Sequence, residues 1–217
     1  MILGIEIENF DVFDKDKAGI LIDDYISSKE GGNALRGLNA LIGRNSTGKT
    51  SFMGCMAFLK DTITQGCAVA SIIYGRPGFA NMTPDISNPS VFRIFFKLED
   101  IMNGKPKFIQ YELAIATSRF KSPVIDSEKV IVVTEIEGEK KPLTILDVKQ
   151  GKGTIVNLED GSSGSTIGVE DEHLTALSLY GKITGYRDYV LLYREIYQWF
   201  FCRTEFLFLR RRSSGRT

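Results

Sequence analysis

Gly43-Arg44-Asn45-Ser46-Thr47-Gly48-Lys49-Thr50, followed by Ser51, is the stretch that most limits what this chain can fold into. It lies between an apolar run at residues 38–42 and a periodic pattern that opens at Lys49. In that pattern Phe52, Met56, Leu59 and Ile63 recur at helical spacing up to Gly66. A strand, a glycine-rich turn and a helix in this order make a phosphate-binding loop. The glycines let the backbone turn tightly and approach an anion without a β-carbon in the way. The loop amides and the positive end of the helix then point at the phosphates. Lys49 is expected to reach the β- and γ-phosphates, and Thr50 to offer its hydroxyl to a nucleotide-bound magnesium ion, with Ser51 capping the same turn. The bland alternative is a glycine-rich turn that happens to contain Lys-Thr, and the flanking strand and helix patterns count against it.

Composition narrows the partners. The chain has 217 residues, 27 of them basic and 27 acidic, so no overall field draws it to nucleic acid or to a membrane. That length supports one sizeable core without disulfides or metals. Cys55, Cys67 and Cys202 form no CxxC pair and have one histidine between them, which indicates neither a disulfide framework nor a zinc site. No run of apolar residues approaches membrane-spanning length, and a cytoplasmic location is expected.

Along the chain, Ile5 and Ile7 alternate with Glu6 and Glu8 before Asn9-Phe10, which reads as a half-buried strand, and residues 20–22 as a second. Residues 74–90 carry Gly75, Pro77, Gly78, Pro84 and Pro89 and read as a long surface loop. The runs 91–98, 107–117, 129–136, 142–148 and 153–158 are rich in β-branched and aromatic residues, separated by turns such as Asn103-Gly104, as in an antiparallel meander. Residues 160–165 read as flexible. Helical patterns follow at 172–180 and 188–202, the second aligning Tyr189, Tyr193, Ile196 and Phe200.

Asn45 within the loop, Lys49-Thr50-Ser51 after it and the opening Ile5-Glu6-Ile7-Glu8-Asn9-Phe10 resemble ABC-type ATPases of the RecF, SMC-like and OLD-like bacterial "AAA family" group. Residues 108–113 and 127–130 are similar to strands of its β-rich lobe, and 174–177 through 197–200 to its first helical segment. The resemblance implies an α/β fold: the N-terminal lobe of an ABC-type P-loop NTPase, with an antiparallel β-rich lobe and C-terminal helices. It divides the chain into a nucleotide-binding lobe at 1–90, a β-rich lobe at 91–160, a helical segment at 161–205 and a disordered basic tail at 206–217. It implies ATP and Mg2+ as ligands, bound through Gly43, Arg44, Asn45, Ser46, Thr47, Gly48, Lys49, Thr50 and Ser51, with Thr50 toward the metal. It also implies a homodimer, or a partner chain supplying a signature loop, since hydrolysis in that family needs one.

Several family elements do not appear. No Leu-Ser-x-Gly loop is present, because Leu177-Ser178 lacks the glycine. Candidates for the second magnesium carboxylate are Asp23 and Asp24 after Ile20-Leu21-Ile22, Glu135 after Val130 to Val133 and Thr134, and Asp147 after Leu143 to Leu146. The first precedes the loop, the second has Thr where Asp belongs, and the third follows a broken run, so none makes a convincing Walker B strand. His173 reads as a surface histidine in the acidic first turn of a helix and Gln110 as a solvent-facing strand residue, neither as a switch nor as a magnesium sensor. The tail ending Arg210-Arg211-Arg212 fits no family element and reads as the truncated end of a longer gene product rather than a functional basic tail. The catalytic residues are therefore unknown. A non-hydrolysing, nucleotide-switched regulatory or assembly module, with nucleic acid as an unsupported further partner, stands as the alternative. A small-molecule kinase ranks below both, because no Asp-rich base or Arg-rich lid follows the loop.

Overall fold

The computed structural model describes residues 2–14, 18–21, 42, 44, 48–100, 105–136, 139–159 and 164–201. Residues 38–41 of the strand expected before the glycine-rich loop, most of that loop, Asp23, Asp24, Cys202 and the basic tail lie outside the described residues; Ile42, the last residue of that expected strand, is described, belongs to no strand and is 90% exposed. The described chain is α/β, with helices on one face of an eight-stranded antiparallel sheet in the order β2-β1-β3-β4-β5-β6-β7-β8. The strands are β1 (Ile2–Glu8), β2 (Ala18–Leu21), β3 (Ser90–Asp100), β4 (Lys105–Thr117), β5 (Pro123–Ile136), β6 (Glu139–Lys149), β7 (Lys152–Ile155) and β8 (Ser165–Gly168). From β3 onward each strand pairs with the next, the meander that the alternating runs and turn residues encode. β1 pairs directly with β3, so one sheet crosses residue 90 without a break.

Period-two alternation gives this sheet two unlike faces. Leu3, Ile5, Ile7, Phe92, Ile94, Phe96, Ile109, Tyr111, Leu113, Val130 and Val132 are buried on the core face. On the other face the register aligns Glu6, Arg93, Glu112, Lys129 and Asp147 side by side across five strands, a row of alternating sign. Arg93 bonds Glu8 and Glu112 and lies 3.8 Å from Glu6, while Lys129 lies 3.3 Å from Asp147. Opposite charges directly across strands favour this register, and a one-residue slip would bury the whole row.

Helix α1 (Lys49–Gln65) lies on the core face and ends at Gly66, whose φ of 89° other residues rarely adopt. Its later turns are buried nearly all round, with Cys55, Met56, Ala57, Phe58, Leu59, Asp61, Thr62 and Ile63 inside. Phe58 is the centre of an aromatic cluster, 4.7 Å from Phe10, 5.9 Å from Phe79 and 6.0 Å from Phe92. Rings in such contact add packing energy beyond their buried area. The short helices α2 (Cys67–Ala70) and α3 (Phe79–Met82) follow, then α4 (Ala176–Tyr180) and α5 (Arg187–Tyr197). Trp199 stacks on Phe96, and Lys60 of α1 bonds the Trp199 carbonyl, so the chain after α5 is tied to both the sheet and α1.

Four local expectations are corrected. The stretch expected as a surface loop at 74–90 is packed, because Phe79 is fully buried and Arg76 reaches back to Asp61 at 2.7 Å and to the Ala70 carbonyl at 2.6 Å. Its prolines and glycines suppress local periodicity, while tertiary contacts supply the order. Ser165 is not part of a flexible linker but opens edge strand β8, which pairs with β7. The helix expected from 172 starts only at Ala176, where Thr175 caps it, and the one expected over 188–202 runs Arg187–Tyr197.

Candidate nucleotide site

Of the phosphate-loop residues, Arg44, Gly48, Lys49, Thr50 and Ser51 are described; Gly43, Asn45, Ser46 and Thr47 lie outside the described residues. Gly48 is the N-cap of α1 at φ 83° and ψ 8°, the left-handed conformation that glycine adopts at least cost. A Cβ there would lie 3.3 Å from Val12 Cγ2 and 3.7 Å from the Phe13 ring, so both the backbone angle and the space call for glycine. The helix therefore starts at Lys49, where the sequence places it.

Ser51 does not cap the turn as expected: the N-cap position belongs to Gly48, which has no side chain to offer. The first turn also holds no acidic residue. Neither the N-cap nor the first turn of this 17-residue helix therefore supplies a counter-charge to its positive end, an arrangement that suits an external anion. Lys49 donates from Nζ to the Arg44 carbonyl, across the loop that separates them. Thr50 is exposed and Ser51 half-buried, so the Thr50 hydroxyl is accessible at the helix start. An accessible hydroxyl, a lysine amine and a helix start behind a left-handed glycine are groups that fit an external anion.

The residues considered for a second carboxylate or a switch are not gathered with this terminus by any contact described. Asp147 sits on β6, half-exposed and paired with Lys129 in the charged row. Glu135 lies near the end of β5 and Ile20 on β2, both in antiparallel pairings. Gln110 is half-buried on β4 between Phe95 and Ile131, on the face opposite Tyr111. His173 corrects the expectation of a surface histidine in a helical turn. It precedes α4, is partly buried, and its Nδ1 lies 2.8 Å from the Pro123 carbonyl. Its backbone N–H donates to Asp171 at 2.9 Å.

Cys67 lies 3.9 Å from the same His173 nitrogen, yet the pair is no nucleophile and base. The Nδ1 proton is committed to the Pro123 carbonyl, and burial pushes the Cys67 thiol up to about 12. Burial likewise raises the Cys55 thiol. Neither thiol is ionised near neutrality.

The group that sequence reasoning passed over is Glu128. It is 1% exposed on β5 and accepts hydrogen bonds from the Ala176 and Leu177 amides of α4 and from the Tyr111 hydroxyl. Burial pushes its carboxyl up to about 7, against the lowering effect of those three bonds. The available signal was phase: Glu128 shares the parity of Val130 and Val132, which face the core. The bulge on its N-terminal side, where Ala114 pairs with Ser127 but Ile115 with Ile125, hides that parity from a reading that starts at Ile125.

No family model matches the chain, and no curated protein does. A solved structure from work on the structural biochemistry of ATP-driven dimerization and DNA-stimulated activation of SMC ATPases aligns at a TM-score of 0.33 and 17% identity. The alignment covers 64% of this chain and 71% of that one, a likeness too loose to carry an argument about this site.

Proposed function

We propose that this chain binds Mg-ATP at the start of α1, through Gly43, Arg44, Asn45, Ser46, Thr47, Gly48, Lys49, Thr50 and Ser51. The observation that carries the reading is the coincidence of the Gly-x-x-x-x-Gly-Lys-Thr sequence with a helix that begins at Lys49 behind a left-handed Gly48. The absence of any acid in that first turn adds to it. Under this reading the ABC-type P-loop fold follows, with 1–90, 91–160 and 161–205 as segments built around one continuous sheet. Hydrolysis then belongs to a dimer or to a complex in which a partner supplies the signature loop.

Calorimetric titration of the 217-residue chain with Mg-ATP tests it. Saturable binding that Lys49→Ala abolishes is the expected result, and equal affinity of the variant and the parent refutes it. The position of Asp147 in the charged row, on the face of the sheet opposite α1, favours a second reading, in which ATP acts as a switch without turnover. Steady phosphate release by the purified chain, lost in Lys49→Ala, excludes that version.

A further inference from the structure

The start of α1 rests on a short turn whose geometry is fixed from a distant part of the chain. Asn9 and Asp11 are both left-handed, at φ 53° and 56°, and flank Phe10 directly after β1. Non-glycine residues in this region cost energy and persist only where the surroundings hold them. Asn9, 3% exposed, is held by its side chain: Nδ2 donates to the Asp85 and Asn88 carbonyls at 2.8 Å each, and Oδ1 accepts from the Asp85 amide at 2.8 Å. Its own carbonyl accepts from the Ser90 hydroxyl at 2.6 Å, and the Asp11 amide donates to the Met82 carbonyl at 2.6 Å. Phe10 stacks on Phe58 in the middle of α1. Val12 and Phe13, after Asp11, line the side of Gly48 on which a Cβ would stand, 3.3 and 3.7 Å from that position. One turn therefore links the packed segment at 79–90, the body of α1 and the last glycine of the phosphate loop.

We infer that Asn9 is a positioning residue for the phosphate site, acting through Val12 and Phe13 to hold Gly48 in its left-handed state. The inference rests on the reading of the site proposed above. A glycine left free at this position samples many conformations, and an anion that needs its neighbouring amides aligned must pay for ordering them. The wall made by Val12 and Phe13 removes that freedom beforehand. Val12 is 61% exposed, so its side chain contributes little to the core and its place beside Gly48 can be tested apart from folding.

The experiment is calorimetric titration of the full chain with Mg-ATP, with thermal unfolding measured in parallel, for Val12→Ala, Val12→Ile, Asn9→Gly, Tyr189→Phe and Lys49→Ala. Asn9→Gly permits the left-handed backbone without strain but removes the side-chain bonds that fix it there. Tyr189→Phe is the stability control: it deletes a hydroxyl bonded to the Ile145 and Val156 carbonyls, away from the turn. Val12→Ala and Asn9→Gly are expected to weaken binding about two- to five-fold, the size of one residue's backbone freedom. Val12→Ile should restore it, and Tyr189→Phe should lower Tm without moving Kd. Parent-like Kd in Val12→Ala overturns the inference, as does parent-like Kd in a destabilised but folded Asn9→Gly. Should Asn9→Gly not fold, Val12→Ala decides alone. Undiminished binding by Lys49→Ala instead marks the failure of the site assignment itself, and the inference falls with it.

Discussion

Replacing Glu128 by Gln should remove a pH dependence from the stability of this protein, and the structure sets both its sign and its size. Burial lifts the folded-state carboxyl from an ordinary 4.5 to about 7, although the Leu177 and Ala176 amides and the Tyr111 hydroxyl all donate to it. A folded-state value above the unfolded one means that the fold favours the protonated acid. The stability this confers is complete below pH 4.5 and is lost as pH rises through about 7. The gap corresponds to about 3 kcal/mol, at 1.36 kcal/mol for each tenfold change in proton affinity. Gln is neutral throughout but keeps only one acceptor oxygen: the Leu177 amide and the Tyr111 hydroxyl share Oε1 whereas the Ala176 amide bonds Oε2, so one donor loses its acceptor at a cost that does not vary with pH. The assay is urea unfolding of parent and Glu128→Gln at a series of pH values from 5 to 8.5, read as the difference between the two, which cancels every other titrating group. The variant should start about 1 kcal/mol or more below the parent at pH 5, for the one donor left without an acceptor, and gain on it by about 2–3 kcal/mol between pH 5 and pH 8. Glu128→Ala should be worse than both at pH 5, because three buried donors lose their acceptor at about 1 kcal/mol or more each. A difference that is flat across this range, or one in which the parent gains as pH rises, refutes the account.

Two further outcomes follow from other contacts. Asp188→Ala removes a 5%-exposed carboxylate that Lys107 bonds at the first turn of α5; a loss of about 2 kcal/mol is expected in denaturant unfolding. Thr50→Ala should leave Tm unchanged, since Thr50 is exposed, yet weaken Mg-ATP binding about ten-fold without affecting ATP offered with a chelator, as measured by calorimetry.

Much of this architecture was legible because it depends on neighbours in sequence. The extent of α1 could be read from Phe52, Met56, Leu59 and Ile63 and from Gly66 as its stop, and the meander from alternation between turn residues. What could not be read depends on partners far along the chain. The segment at 74–90 looks like a loop because Pro77, Pro84 and Pro89 prevent repeating backbone bonds, but Asn9 satisfies its carbonyls from 76 and 79 residues away. β8 is four residues long, polar and at an edge, too short to show a period. Helix α4 is five residues long, below the length at which propensity decides anything, and it begins where the Glu128 carboxylate takes its first amides. In the candidate site, the glycine, lysine and threonine positions came from the motif, while the wall of Val12 and Phe13 on Gly48 required the fold.

Helix α1 divides its labour along its length, and this bears on how the proposed function can be separated from stability. From Cys55 to Ile63 nearly every residue is buried, and even the polar Asp61 is held by Arg76 at 2.7 Å, so this part belongs to the core. The first turn is different: Thr50, Met53 and Gly54 are exposed, and a Cβ added at Gly54 would meet nothing within 4 Å. A helix whose later turns are fixed from all sides can leave its opening turn uncovered without fraying, because the cost of ordering that turn is shared with the core. An anion arriving there then meets amides that are already aligned, and its binding need not compete with folding. The same division explains why the turn at 9–13 matters. Phe10 belongs to the core cluster around Phe58, whereas Val12, two residues later, is largely exposed and lies beside Gly48, 3.3 Å from where a Cβ would stand, so one short turn passes from the part of α1 that holds the fold to the part that the proposed nucleotide would use.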